Sequence, residues 1–230
     1  MAEPAPVIAI DGPGGAGKGT VCQALARRLG WHLLDSGALY RLVALDCLRS
    51  ATELEDEPAV AERARQLDVQ FRDDGRIFLA GQDATDAIRE EQSAQGASRV
   101  AVLPRVRAAL IERQRAFRRL PGLVADGRDM GSVIFPEAGL KVFLTASVEE
   151  RARRRHKQLK EKGIDVSLAR LSQELGERDR RDAARSVAPL KASPDAQHLD
   201  TTGLGIDAVV SQVMEWAVSA FPELRLPGAD

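Results

Sequence analysis

A short apolar run, Val7-Ile8-Ala9-Ile10, leads into Asp11-Gly12-Pro13-Gly14-Gly15-Ala16-Gly17-Lys18-Gly19-Thr20. A helical pattern follows at once, with Val21, Ala24, Leu25 and Leu29 on one face. Strand, glycine loop, lysine and helix in this order are what a phosphate cradle needs. Glycines let successive backbone N–H groups turn toward one point, and the helix adds its positive N-terminal end. Lys18 is then within reach of the outer phosphates of a nucleotide. The strict phosphate-loop pattern places Ser or Thr directly after the lysine. Here Gly19 intervenes and the hydroxyl comes at Thr20. The loop also contains Gly12-x-Gly14-x-x-Gly17, the dinucleotide fingerprint, and Asp35 ends the next apolar run, His32-Leu33-Leu34-Asp35, near the spacing that motif wants. A dinucleotide loop has no use for a lysine followed by a hydroxyl, so the phosphate cradle is preferred.

The rest of the chain alternates strand and helix. After the first strand (7–11) and helix (18–29), residues 32–35 read as a second strand. Gly37 to Arg49 reads as a helix that the turn Asp35-Ser36-Gly37 could cap. Beyond Ser50 the character changes. Pro58 to Leu67 is a short helix, and three small strands follow: Val69-Gln70-Phe71, Arg76-Ile77-Phe78-Leu79 and Gln82 to Thr85. Their turns are Asp73-Asp74-Gly75 and Ala80-Gly81. Helices are expected over Glu90 to Val102 and from Pro104 to Pro121, the latter ringed by arginines. Strands return at Leu123-Val124-Ala125-Asp126 and Leu140 to Leu144. Ser147-Val148-Glu149-Glu150 has the form of a capping box opening an arginine-rich helix to Lys162. A second charged helix covers Ser167 to Ala184. A short strand, Gln197 to Asp200, and an amphipathic helix, Ile206 to Ala220, close the chain.

This pattern predicts an α/β fold of the P-loop NTPase type: a parallel five-stranded sheet with helices on both faces, a small antiparallel β insert and a short lid. At 230 residues and 44% hydrophobic one domain over 1–230 is expected. Within it, the insert covers about residues 57–97 and the lid about 153–170. Functional groups in such sheets gather at the carboxyl ends of strands, here Asp11 to Lys18, Asp35-Ser36, Asp126 to Asp129 and Thr145-Ala146.

Composition removes several classes. Aromatics are 4% and net charge is −1, which speaks against a general binder of nucleic acid or membrane surfaces. Cys22 and Cys47 read as buried thiols rather than a disulfide. No run approaches the ~18 apolar residues of a membrane helix, and Met1-Ala2-Glu3-Pro4 does not read as a leader. The expectation is a soluble, cytoplasmic monomer.

Of the 33 Lys and Arg residues six are lysines, which leaves 27 arginines, and arginine suits bidentate phosphate recognition. Those beside other signals are Arg41, Arg128, Arg178, Arg180, Arg181 and Arg185. Arg178, Asp182 and Arg185 are spaced to share one helix face, which by itself holds ion pairs and nothing else. His32, His156 and His198 lie in unrelated settings, and no Ser/His/Asp set or Cys/His cluster stands out. A hydroxyl acceptor benefits from a general base. A phosphate acceptor is largely dianionic near neutral pH and does not. A lysine, a helix terminus, Mg²⁺ and several arginines without a base fit transfer from one phosphate to another.

At this point the chain resembles the bacterial cytidylate kinases, within the nucleoside monophosphate kinases. The resemblance rests on Gly17-Lys18-Gly19-Thr20, Leu34-Asp35-Ser36-Gly37-Ala38-Leu39-Tyr40-Arg41, Ala125-Asp126-Gly127-Arg128-Asp129-Met130-Gly131 and Glu177-Arg178-Asp179-Arg180-Arg181-Asp182. It covers the chain from Pro6 to Val213. It implies transfer of the γ-phosphoryl group of MgATP to CMP or dCMP, a step of pyrimidine nucleotide metabolism. The implied ATP-binding residues are Gly12, Pro13, Gly14, Gly15, Ala16, Gly17, Lys18, Gly19 and Thr20, with Mg²⁺ held through the ATP phosphates and Thr20 as a candidate ligand. Lys18, Arg128 and Arg185 would be catalytic. Ser36, Tyr40, Arg41, Arg128 and Arg185 would hold the acceptor and its phosphate. Ser98, Arg107 and Asp129 would read cytosine, and Arg178 and Asp182 would meet the ribose. Arg153, Arg154 and Arg155 are the lid-arginine candidates. Three rivals stay open from the residues alone: a P-loop kinase for another small molecule, a P-loop switch whose output is a partner contact, and a dinucleotide oxidoreductase.

Overall fold

The computed structural model describes residues 4–72, 75–161, 163–185 and 187–224. In chain order the elements are β1 (Val7–Asp11), α1 (Lys18–Leu29), β2 (His32–Asp35), α2 (Ser36–Arg49), α3 (Glu57–Arg65), β3 (Val69–Phe71), β4 (Ile77–Leu79) and β5 (Gln82–Asp83). After a 3₁₀ turn at Ala87–Arg89 come α4 (Glu91–Val100), α5 (Pro104–Arg115) and β6 (Leu123–Asp126). A π-helical turn at Met130–Ile134 precedes β7 (Leu140–Thr145), α6 (Val148–Glu161), α7 (Leu168–Ala183), β8 (Gln197–Asp200) and α8 (Ile206–Ala220). The chain forms two compact units, one from residues 1–34 with 117–230, the other Asp35–Ala116.

The first unit is built on a five-stranded parallel sheet in the order β2-β6-β1-β7-β8. β1 is central and buried at all five positions, so it reads as a continuous apolar run rather than an alternating one. Ile8 and Ile10 pack in a core with Val21 and Leu25 of α1, Val142 and Leu144 of β7, and Val209, Val210 and Val213 of α8. Burying each such side chain contributes roughly 1.5–3 kcal/mol. This anchors both ends of the glycine loop between β1 and α1.

The second unit pairs α2 with α4 and α3 with α5, and carries the antiparallel sheet β3-β4-β5. Its β4–β5 link has positive φ at both Ala80 and Gly81, as a two-residue hairpin turn requires. Asp73 and Asp74, assigned to the other turn, lie outside the described residues, as does Lys162.

Some boundaries differ from expectation. The helix read over Glu90 to Val102 is α4, a residue or two shorter at each end, and a 3₁₀ turn at Ala87–Arg89 precedes it. The third small strand stops at Asp83, because the Thr85 hydroxyl already accepts the Ile77 N–H at 3.0 Å. The capping box is half formed: Ser147 Oγ accepts from Glu150 N at 3.2 Å, but the Glu150 carboxylate pairs with Arg153 and Arg154. The Ser147 N–H goes to Thr202 Oγ1. Arg185 lies past the end of α7 rather than on it.

Candidate functional site

In the first unit β1 lies between β6 and β7, so that the strand ends carrying Asp11 to Lys18, Asp126 to Asp129 and Thr145-Ala146 are neighbours. The loop between β1 and α1 lies close against its neighbours. Gly12 has φ +146°, and a Cβ there would sit 2.0 Å from the Leu144 carbonyl oxygen. Only glycine fits. Gly17 takes a left-handed conformation before α1, so the loop turns directly into the helix and the first-turn N–H groups are left unpaired within it.

Lys18 is 5% exposed. Its Nζ donates to the Pro13 carbonyl at 2.9 Å, which folds the side chain back along the loop. Asp126 Oδ1, at the end of β6, lies 3.9 Å away. Burial, reinforced by the positive charge of Arg128, pulls the ammonium down from 10.5 to about 8. Thr20 is exposed two residues on. A Cβ on Gly19 would lie 3.5 Å from Asp126 Oδ2, which places that carboxylate beside the start of α1.

Arginines crowd the loop. A Cβ on Gly14 would stand 3.4 Å from Arg128 Nη2 and 3.8 Å from Arg178 Nη1, and one on Gly17 3.7 Å from Arg154 Nη1. Arg128 Nε donates to Asp182 Oδ2 at 2.9 Å, and Arg185 pairs with the other oxygen of that carboxylate. Asp182 is 1% exposed. Burial works against its ionisation, but Arg128 and Arg185 outweigh this and hold its carboxyl below the usual range. Asp182 of α7 therefore does more than pair with arginines along its own helix: it also holds Arg128, which follows β6.

Asp129 is buried, and its carbonyl accepts from Val133 and Ile134 at the start of the π-helical turn. That turn is fixed by Asp11, whose carboxylate accepts from Met130 N at 2.8 Å and Gly131 N at 2.9 Å. Burial raises the Asp11 carboxyl to about 6 despite these bonds. Of the lid-arginine candidates, Arg154 is committed to Glu150 and to the Thr201 hydroxyl and carbonyl. Arg153 is exposed and pairs with Glu150; Arg155 is partly buried.

In the second unit, Ser36 opens α2 beneath Asp35, whose Oδ1 accepts from Ala38 N at 3.0 Å. Asp35, the acidic residue a dinucleotide loop would need, is thus the cap of a helix. Tyr40 is buried and Arg41 partly so. Arg107 is 5% exposed although α5 carries exposed arginines on either side. It donates to the Ala101 carbonyl at 3.2 Å and lies 5.8 Å from the Tyr40 ring centre. Ser98 is buried, its hydroxyl on the Ala94 carbonyl of its own helix.

Asp11 and Asp126 stand at strand ends where the sequence expects functional groups, whereas Arg151 goes unmarked in the sequence pattern. Arg151 had only its place in the first turn of α6 to recommend it. His32, bonded to the Leu120 carbonyl, and His198, against Phe143, are structural. Cys22 and Cys47 are buried thiols that are not joined in a disulfide. Among the described residues no group of three or more His, Cys, Asp or Glu could hold a metal, and no helix is long and apolar enough to cross a membrane.

The family model for cytidylate kinase matches residues 8–219 of this chain. The chain is 55% identical over 220 residues to the cytidylate kinase of Aeromonas salmonicida (strain A449), covering 94% of this chain and 96% of that protein. It is 59% identical over 214 residues to the cytidylate kinase of Pseudomonas paraeruginosa (strain DSM 24068 / PA7), covering 91% and 93%. Among solved structures, an uncharacterized protein from Eubacterium ventriosum ATCC 27560 shares the fold with TM-score 0.50 at 14% identity, over 93% of this chain and 99% of that one.

Proposed function

The chain belongs to the cytidylate kinase family, and from that premise we propose that it transfers the γ-phosphoryl group of MgATP to CMP or dCMP, giving CDP or dCDP and ADP. The observation that carries the reading is the loop itself: Lys18 folded into it, with the guanidinium groups of Arg128 and Arg178 beside Gly14. Such an arrangement suits two polyanions brought together, because the transferring group spreads its charge over oxygens that fixed cations stabilise without reorganising.

The residues Gly12, Pro13, Gly14, Gly15, Ala16, Gly17, Lys18, Gly19 and Thr20 bind ATP in this proposal, through backbone N–H groups and the Lys18 ammonium. The oxygen donors beside the loop, Thr20 and Asp126, fit a magnesium ion that takes most of its ligands from phosphates and water, and no all-protein cage is required. Bound there, Mg²⁺ would neutralise charge on the donor's outer phosphates. The acceptor-binding residues in this proposal are those the family resemblance implies: Ser36, Tyr40, Arg41, Ser98, Arg107, Arg128, Asp129, Arg178, Asp182 and Arg185. Asp129 suits the cytosine amino group as an acceptor, and Ser98 and Arg107 suit its carbonyl and ring nitrogen as donors. Asp182 suits a ribose hydroxyl. Lys18, Arg128 and Arg185 are the catalytic cations. The lid, about residues 153–170, excludes water when closed and so limits wasteful hydrolysis. The working form is proposed to be a cytoplasmic monomer.

ADP release measured side by side with CMP, dCMP, UMP and AMP tests the reading. Turnover strongly dependent on CMP or dCMP is expected. Release of ADP indifferent to any acceptor would replace it with a switch or an ATPase.

A further inference from the structure

Arg151 sits in the first turn of α6 and is 3% exposed. Its Nε donates to the Ala146 carbonyl at 2.9 Å. Nη1 donates to the Gly14 carbonyl at 3.0 Å and to Asp179 Oδ1 at 3.1 Å, and Nη2 donates to Asp179 Oδ2 at 2.5 Å. One planar group therefore joins the segment after β7, the glycine loop and α7. The paired bonds to Asp179 need a guanidinium fork, which a lysine cannot reproduce.

The bond to Gly14 has a consequence for the loop. In a trans peptide the carbonyl of Gly14 and the N–H of Gly15 share a plane and point in opposite directions. Holding that carbonyl on Arg151 turns the Gly15 N–H to the other side of the loop. The approach is close as well: a Cβ on Gly15 would lie 3.0 Å from Arg151 Cβ, so the arginine stem backs the peptide it orients. Asp179 follows Arg178 directly in α7, and Arg178 is the residue whose Nη1 reaches toward Gly14.

We propose that Arg151 is a positioning residue for the phosphate donor: it clamps the Gly14–Gly15 peptide to α7, so that the Gly15 N–H faces the ATP phosphates and Arg178 is held beside the same loop. The proposal rests on the reading of the glycine loop as the ATP site.

Steady-state kinetics of the full chain test it, with wild type, R151Q, R151K, D179N and the R151Q/D179N double variant. R151Q and D179N are each expected to raise KM for ATP about tenfold, the effect of losing a charge-assisted hydrogen bond. KM for CMP should stay within about twofold. The double variant should be no more than about twofold worse than R151Q, since both act through one contact. R151K, which keeps the charge without the fork, should fall between wild type and R151Q. A folded R151Q with wild-type KM for ATP overturns the proposal, as do equal rises in both KM values or additive losses in the double variant. If R151Q does not fold by circular dichroism, D179N and R151K decide, and an unchanged KM for ATP in either overturns it. Wild type without CMP-dependent ADP release would instead overturn the kinase reading. Wild-type turnover with an indifferent R151Q removes only the role of Arg151.

Discussion

Lys18 and Arg107 are two cations buried to the same degree, each 5% exposed, but held in different ways. Lys18 has a backbone carbonyl at 2.9 Å and a carboxylate oxygen only at 3.9 Å. Burial and the neighbouring Arg128 both push against its charge. Arg107 donates to a backbone carbonyl and lies beside the face of Tyr40, contacts that suit the N–H edge and flat face of a guanidinium. The first is a charge kept under stress in a loop shaped for phosphate. The second is a directional donor settled in a helical unit. The difference teaches that burial alone does not mark a catalytic cation. What its neighbours do to its charge separates a group suited to a polyanion from one suited to a neutral, hydrogen-bonding ligand.

Removing each cation should therefore have different consequences. Lys18→Ala is expected to lower kcat by about a thousandfold, in the range found for losing one preorganised donor to a transition state. The fold should persist, since a depressed ammonium contributes little to holding it. Arg107→Ala should leave kcat for saturating CMP within a few fold but raise KM for CMP by roughly ten- to a hundredfold. It should also narrow the preference for CMP over UMP and AMP. An acceptor panel run on both variants distinguishes them. If Arg107→Ala loses kcat as Lys18→Ala does, or Lys18→Ala loses only acceptor affinity, the distinction drawn above collapses.

The same pair explains how much the sequence discloses. Lys18 belongs to a continuous segment whose strand, loop and helix are all local, so its place could be read from ten residues. The parallel sheet was legible for the same reason, since β1, β6 and β7 are short apolar runs between helical patterns. Arg107 was reachable only through the family resemblance. α5 carries arginines around its whole surface, and nothing in its own pattern says that this one turns inward beside Tyr40. Arg151 is the stronger case. α6 is so charged that it has almost no apolar stripe, with Ala152 buried next to Arg151, so the inward face is decided by Gly14 and Asp179, far away in sequence. Two residues further along, Arg153 is an exposed helix residue paired with Glu150. The cap that Asp11 gives to the π-helical turn was hidden likewise, because it depends on β1 lying beside β6.

Alkaline pH sharpens the contrast, because the buried Lys18 ammonium gives up its proton at about 8. With the ammonium lowered to about 8 in the free protein, Lys18 carries its charge below that pH and loses it above. If ATP binds the charged form, its apparent Kd should rise about tenfold between pH 7 and pH 9, whereas Arg107-dependent recognition of CMP should stay flat over the same interval. The sign for stability is the reverse. The unfolded lysine keeps its proton up to 10.5 and the folded one does not, so the unfolded state binds more protons between about 8 and 10.5. Lys18 then contributes stability that rises with pH across that window. Equilibrium titration with ATP at several pH values checks the first, and a flat ATP profile would remove the depressed lysine from the account.

The smallest effect belongs to Arg105, two residues before Arg107 on the same helix. Its exposed side chain stands beside a backbone N–H that donates to Glu57 Oε1 at 2.8 Å, and that bond survives removal of the side chain. Arg105→Ala should change KM for CMP and kcat by less than about twofold and stability by no more than ~0.5 kcal/mol. It controls for the general loss of one positive charge from α5. If it weakens CMP as Arg107→Ala does, the helix acts through its summed charge, and the inward position of Arg107 has no special part in reading the acceptor.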